Sequence, residues 1–305
     1  MKNIFKNPET NTLRAGWRIL VFIIIFMAIN LSLTFVVREI LGSLRGGGTL
    51  WFTLLGISAT LAAYISRKYI DKESFISLGL KIDKAGALDL LYGVFNSAII
   101  MAGIYFTMFF TGLIEFKGLS WWTENADLNA QFSFAVLPII LAILWKLIVV
   151  AWWEELVFRG IIFQNMIKGM GLLWAVIASS LLFGLVHAGN PDATVISTLM
   201  IAIVTPQLIY AYLKTGQLWL PIGLHLGWNF FQASVFGFAS SGQSDATLIT
   251  QIPIGPDWLS GGAFGAEGSI LILPFTIISI FLIHWWVKLS RDPDQKLFSY
   301  KVNQD

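Results

Sequence analysis

Two adjacent glutamates, Glu154 and Glu155, stand directly after an apolar stretch in AWWEELVFRG. Ionisable groups at membrane depth are costly, and each marks a functional site by default. Glu155 and Arg159 are four apart with the acid first, the favourable order for a helical ion pair. Glu154 points about 100° away around the helix, so Arg159 cannot serve both acids equally. One carboxylate is free for chemistry and the other is tied down. The plainer alternative is that both glutamates simply mark the end of a helix.

His187, in LLFGLVHAGN, lies near the far end of the next apolar stretch. The two stretches meet at Lys168–Gly171, where Gly169 and Gly171 break the helix. Facing residues of an antiparallel hairpin lie equally far from its turn. Glu154 is about 16 residues before it and His187 about 17 after, and the rise per residue is the same in both arms. The two side chains are therefore expected at one level. In TGQLWLPIGLHLGWNFF, His225 and Asn229 are four apart and share a helix face. Such a pair can aim two hydrogen bonds at one point, as an oxyanion hole requires. Interhelical hydrogen bonding that merely holds helices together is the competing reading.

The elements that position these residues are membrane helices. Of 305 residues, 56% are hydrophobic and 12% charged, against about 25% charged in a soluble domain. Apolar stretches near 17–37, 49–66, 88–113, 133–153, 172–189, 194–213, 217–238 and 267–288 approach the roughly 20 residues that span a bilayer. The expectation is an all-α polytopic membrane protein of about eight helices, one domain over 1–305, with a catalytic helical core at 133–238. The run Ile19–Val37 is too long for a signal peptide's apolar region and no small-residue cleavage site follows it, so it reads as a first helix that stays. The net charge of +2 gives no nucleic-acid face. With no cysteine, disulfides, thiol catalysis and Cys-ligated metal drop out.

Lysine and arginine placement sets the orientation. With the N-terminus inside, the inner segments hold 16 of these residues, among them Lys2, Arg67, Lys168, Lys296 and Lys301. The outer loops hold 3: Arg38, Arg45 and Lys117. Both termini are thus expected to be cytoplasmic. Asp71–Ala87 mixes charged and apolar residues as an interfacial segment does. The loop 239–266 is rich in Gly, Ser and Ala and reads as irregular. Trp121, Trp122, Trp285 and Trp286 fall where an aromatic belt is expected. Lys146, two turns before the glutamates, is a candidate to line a water-filled cavity or to tune Glu154, though its azimuth differs by about 80°. His284 reads as interfacial, and Pro206 with Gln207 as a kink beside the site.

Taken in order, Glu154, Glu155 and Arg159, then Phe183 and His187, then His225 and Asn229 resemble the motifs of the CPBP family of intramembrane endopeptidases. That family groups the CAAX prenyl proteases with bacteriocin-processing and immunity proteins. The pattern Glu-Glu-x-x-x-Arg, Phe-x-x-x-His and His-x-x-x-Asn is present without departure, within 133–238. SFISLGLKID also looks like the family's stretch ahead of the core. Each motif is short; the three in order, each on a hydrophobic helix, are specific.

The resemblance implies a peptide hydrolase. Glu154 would be the general base that activates water, and His187 would hold that water. His225 and Asn229 would stabilise the oxyanion, Glu155 with Arg159 would support them, and Phe183 would pack beside the histidine. The expected substrate is a membrane-proximal peptide or a prenylated or otherwise lipidated protein. The alternative function is a non-catalytic immunity or regulatory protein that binds a peptide or a sensor partner. No cofactor is expected; if zinc is bound, Glu154, His187 and His225 are the ligands, three protein groups with an open fourth position.

Overall fold

A computed structural model describes residues 4–8, 12–44, 46, 48–120, 122–124, 130–132, 134 and 136–291. Lys2, Arg45, Trp121, Lys296 and Lys301, and with them the C-terminus expected to be cytoplasmic, lie outside the described residues. The chain is an integral membrane protein of α-helices. In order, α1 (Ala15–Leu41), α2 (Thr49–Ile65) and α3 (Lys84–Phe110) lead to β1 (Ile114–Leu119), β2 (Trp122–Glu124) and β3 (Ala130–Phe132). Then come α4 (Val136–Glu155), α5 (Gln164–His187), α6 (Val195–Thr215) and α7 (Trp219–Asn229). The chain closes with β4 (Ile249–Pro253), α8 (Asp257–Ser260) and α9 (Ile272–Ser290). Wide π-helical turns join α4 to α5 (Leu156–Phe163) and extend α7 (Phe230–Val235).

Six stretches among the described residues are long and apolar enough to cross a bilayer, judged by length and composition, against the eight expected. The difference has two sources. One stretch, Leu137–His187, is 51 residues long and includes both α4 and α5. Within it Gly171 takes φ 79°, ψ 168°, which is not helical and which a residue with a Cβ adopts only under strain. The other source is α7, which has only 11 residues before its 6-residue π extension. The chain folds back at Gly171. Phe158 meets Phe183 with ring centroids 4.9 Å apart, and Glu154 meets His187, both pairs centred on that glycine.

Glycines set the contact of α7 with α3. A Cβ on Gly223 would lie 2.2 Å from the Leu90 carbonyl oxygen, and one on Gly93 would lie 2.6 Å from the Leu224 nitrogen. Without a strong hydrophobic drive in lipid, small residues let helix backbones approach and gain van der Waals contact. Ser97 adds a bond from its hydroxyl to the Leu224 carbonyl at 2.7 Å. This contact fixes the helix that carries His225 and Asn229. Outward faces are apolar: Phe35, Phe110 and Phe281 are exposed, as befits contact with lipid.

Several expectations shift. Helix α3 starts at Lys84 because Asp83 caps it, accepting from the Gly86 amide at 2.8 Å. The segment Asp71–Ala87 is interfacial only in part: Ile76 and Ile82 are exposed, but Leu78 and Leu80 are core residues. The loop 239–266 is not irregular throughout, since β4 pairs antiparallel with β1 and α8 follows. Trp286 turns inward, donating to Asp89 at 2.9 Å and stacking on Tyr92. Helix α6 runs unbroken through Pro206, and His284 Nδ1 bonds the Tyr210 hydroxyl at 2.8 Å.

Candidate active site

The residues singled out by spacing converge from α4, α5 and α7. Glu155 and Arg159 are wholly buried and paired at 3.0 Å. The same carboxylate oxygen, Oε1, faces His225 Nδ1 at 2.8 Å. That bond joins α4 to α7 and was not readable from spacing. Beside Arg159 the Glu155 carboxylate acts as acceptor, so His225 Nδ1 donates. His187 Nδ1 lies 2.7 Å from the Phe183 carbonyl oxygen, which can only accept, so this nitrogen also carries a hydrogen.

Both imidazoles therefore turn Nε2 toward Glu154. Its Oε2 lies 4.0 Å from His187 Nε2 and 3.8 Å from His225 Nε2. This oxygen is buried and has no hydrogen bond from a described residue. In the neutral imidazoles the two facing nitrogens carry lone pairs, so three acceptors look at one another. Burying such atoms without a donor is unfavourable. A water, a proton or a cation between them resolves the conflict.

Phe183 packs beside both histidines, with ring centroids 4.7 Å from His187 and 6.3 Å from His225. The Arg159 guanidinium lies over the same ring, 4.2 Å from its centroid. Asn229 is buried, lines the cavity beside these groups, and its amide bonds no described residue. All seven residues named from the sequence are thus brought together.

Glu154, His187, His225 and Asn229 line a cavity of about 570 Å³. Along α4 and its π continuation its walls run from Lys146 to Ile162. One flank is apolar, with Phe22 and Phe26 of α1 and Trp51 and Phe52 of α2. At another part Ser241 and Asp245, from the segment between α7 and β4, join the lining. Those two were missed by sequence reasoning. The only cue was an acid in a segment otherwise rich in Gly, Ser and Ala.

Residues 135–231, which carry α4 through α7, match the model of the family described as "Type II CAAX prenyl endopeptidase Rce1-like". A protein of Bacillus subtilis (strain 168), named "Putative membrane peptidase YdiL", is 24% identical over 186 residues. The alignment covers 60% of this chain and 69% of that one. By both comparisons the helical core that builds the site resembles the CPBP/CAAX proteases.

Proposed function

We propose that this protein is an intramembrane endopeptidase that hydrolyses a peptide bond of a membrane-associated or lipidated substrate. The observation that carries the reading is the buried, unbonded Oε2 of Glu154 facing two Nε2 atoms. The family match and the named relative support a membrane peptidase.

A water bridging Glu154 and His187 would give its proton to Glu154 as its oxygen attacks the carbonyl carbon. Asn229, and His225 when both its nitrogens are protonated, donate to the oxyanion that forms. Glu155 favours that imidazolium by accepting at Nδ1. Collapse of the intermediate breaks the C–N bond, and protonated Glu154 returns the proton to the leaving amine.

The donor set favours this route without a metal. Ligands around a tetrahedral zinc lie about 3.3 Å apart, given Zn–ligand bonds of about 2.0–2.1 Å. The separations of 3.8 and 4.0 Å are wider. Asn229 is a poor zinc ligand besides.

Purified protein should cleave membrane peptides in detergent, keep that activity under strong chelators and contain no stoichiometric zinc. Glu154→Gln and His187→Ala should remain folded and lose cleavage. Activity lost to chelators and restored by zinc would overturn the metal-free route. Function retained in both variants would favour the binding role.

A further inference from the structure

Lys146 is the one lysine or arginine among the described residues that line the cavity. Its side chain is 7% exposed, and its ammonium bonds both oxygens of Asp245, at 2.6 and 2.5 Å. A buried ion pair is weak grounds for stability, because desolvation offsets the attraction. Nor does the segment that carries Asp245 depend on this pair for its place. Glu267 holds Ser241 through its amide at 2.9 Å and its hydroxyl at 2.6 Å, and also accepts from Trp228 at 3.0 Å. The Gly242 amide donates to Phe264 at 3.0 Å, and the Leu248 amide to Ser234 at 2.8 Å. Asp245, by contrast, bonds Lys146 alone among the described residues.

Lys146 and Glu154 are eight residues apart on α4, about 12 Å along the axis. An extended peptide covers about 3.3 Å per residue. A chain in the cavity with a carbonyl at Glu154 thus places a group three or four residues away beside Lys146. We propose that Lys146 is a specificity-determining residue. Its ammonium receives a carboxylate of the bound peptide, and Asp245 holds that place when no peptide is bound. The carboxylate is an acidic side chain or a chain end; the chemistry at Lys146 is the same. This inference rests on the peptidase reading for the position of the peptide.

The test uses full-length Glu154→Gln protein in detergent and fluorescent apolar decapeptides, read by anisotropy. One peptide ends in a free carboxylate and one in an amide; a further set is amidated with a single Asp at each position in turn. At least one carboxylate peptide should bind about tenfold tighter than the plain amide. Preference for the free end identifies the chain terminus, and preference for one Asp position identifies a side chain. Adding Lys146→Gln should erase the preference, and adding Asp245→Asn should tighten carboxylate binding severalfold. Equal affinities, binding of no peptide, or a preference that survives Lys146→Gln would overturn the proposal. Should Lys146→Gln fail to fold, Asp245→Asn decides alone, with unchanged affinity contradicting it. Cleavage by the native protein with no carboxylate preference sinks this inference only. Carboxylate-dependent binding without any cleavage sinks the peptidase reading only.

Discussion

Glu155 accepts two hydrogen bonds at one oxygen, from Arg159 and from His225, and so fixes which His225 nitrogen faces Glu154. Replacing Glu155 with Gln should lower kcat about a hundredfold with little change in KM, because a positioning bond acts on the transition state more than on binding. An equal rise in KM, measured with a fluorogenic peptide, would argue against that role. Arg159 is the other half of the pair. Removing one partner of a buried ion pair costs about 3–5 kcal/mol, since the remaining charge stays buried and unpaired. Arg159→Met should therefore lower the melting temperature more than the double variant Arg159→Met/Glu155→Gln does. The Glu155–Arg159 pair is legible in sequence because four residues make a helical neighbour. The Glu155–His225 bond is not, because it depends on how α4 and α7 cross.

Helices α3 and α7 meet through backbone that leaves no space for a side chain at Gly223. Gly223→Val should push α7 away from α3, displacing His225 and Asn229. A shift near 1 Å in such a group costs about a hundredfold in rate. The variant should thus lose activity by that order or more while circular dichroism still reports a helical protein. Native-like activity would contradict the assigned role of this contact. Placement of Glu154 level with His187 was readable because an antiparallel hairpin needs only a turn and a constant rise. The pairing of β1 with β4 was not readable, since it joins strands more than a hundred residues apart through backbone bonds that leave little mark on composition.

The whole molecule is fastened on one side by a charged network. Arg67 pairs with Asp71 at 3.1 Å and Glu73 at 2.5 Å, and Lys168 reaches Glu73 at 2.9 Å. Burial pushes the Glu73 carboxyl up, but the Lys168 bond, the Arg67 and Lys168 charges and the Ser77 hydroxyl outweigh it and hold it below the usual glutamate range. A depressed carboxyl stabilises the fold above its unfolded pKa and loses that contribution as pH falls through the folded one. Glu73→Gln should then melt below the native protein at pH 7, with the gap closing as pH falls below about 4. A gap that widens with acid would contradict this sign. Orientation has an equally direct test, because the chain has no cysteine. An impermeant maleimide should label Ile254→Cys in intact cells and Ile82→Cys only after lysis, both positions being exposed; the reverse pattern would invert the topology. Helix placement was largely legible because apolar length carries it. The lining contributed by Asp245 and Ser241 was not, because a loop's path over a cavity has no periodic signal.

The central claim is that Glu154 activates water for peptide cleavage. Mass spectrometry of new peptide N-termini in membranes from cells making the native protein or Glu154→Gln, at matched abundance, tests it most directly. A set of termini present with the native protein and missing with the variant is the predicted result. Identical terminal peptides in the two membranes would contradict it.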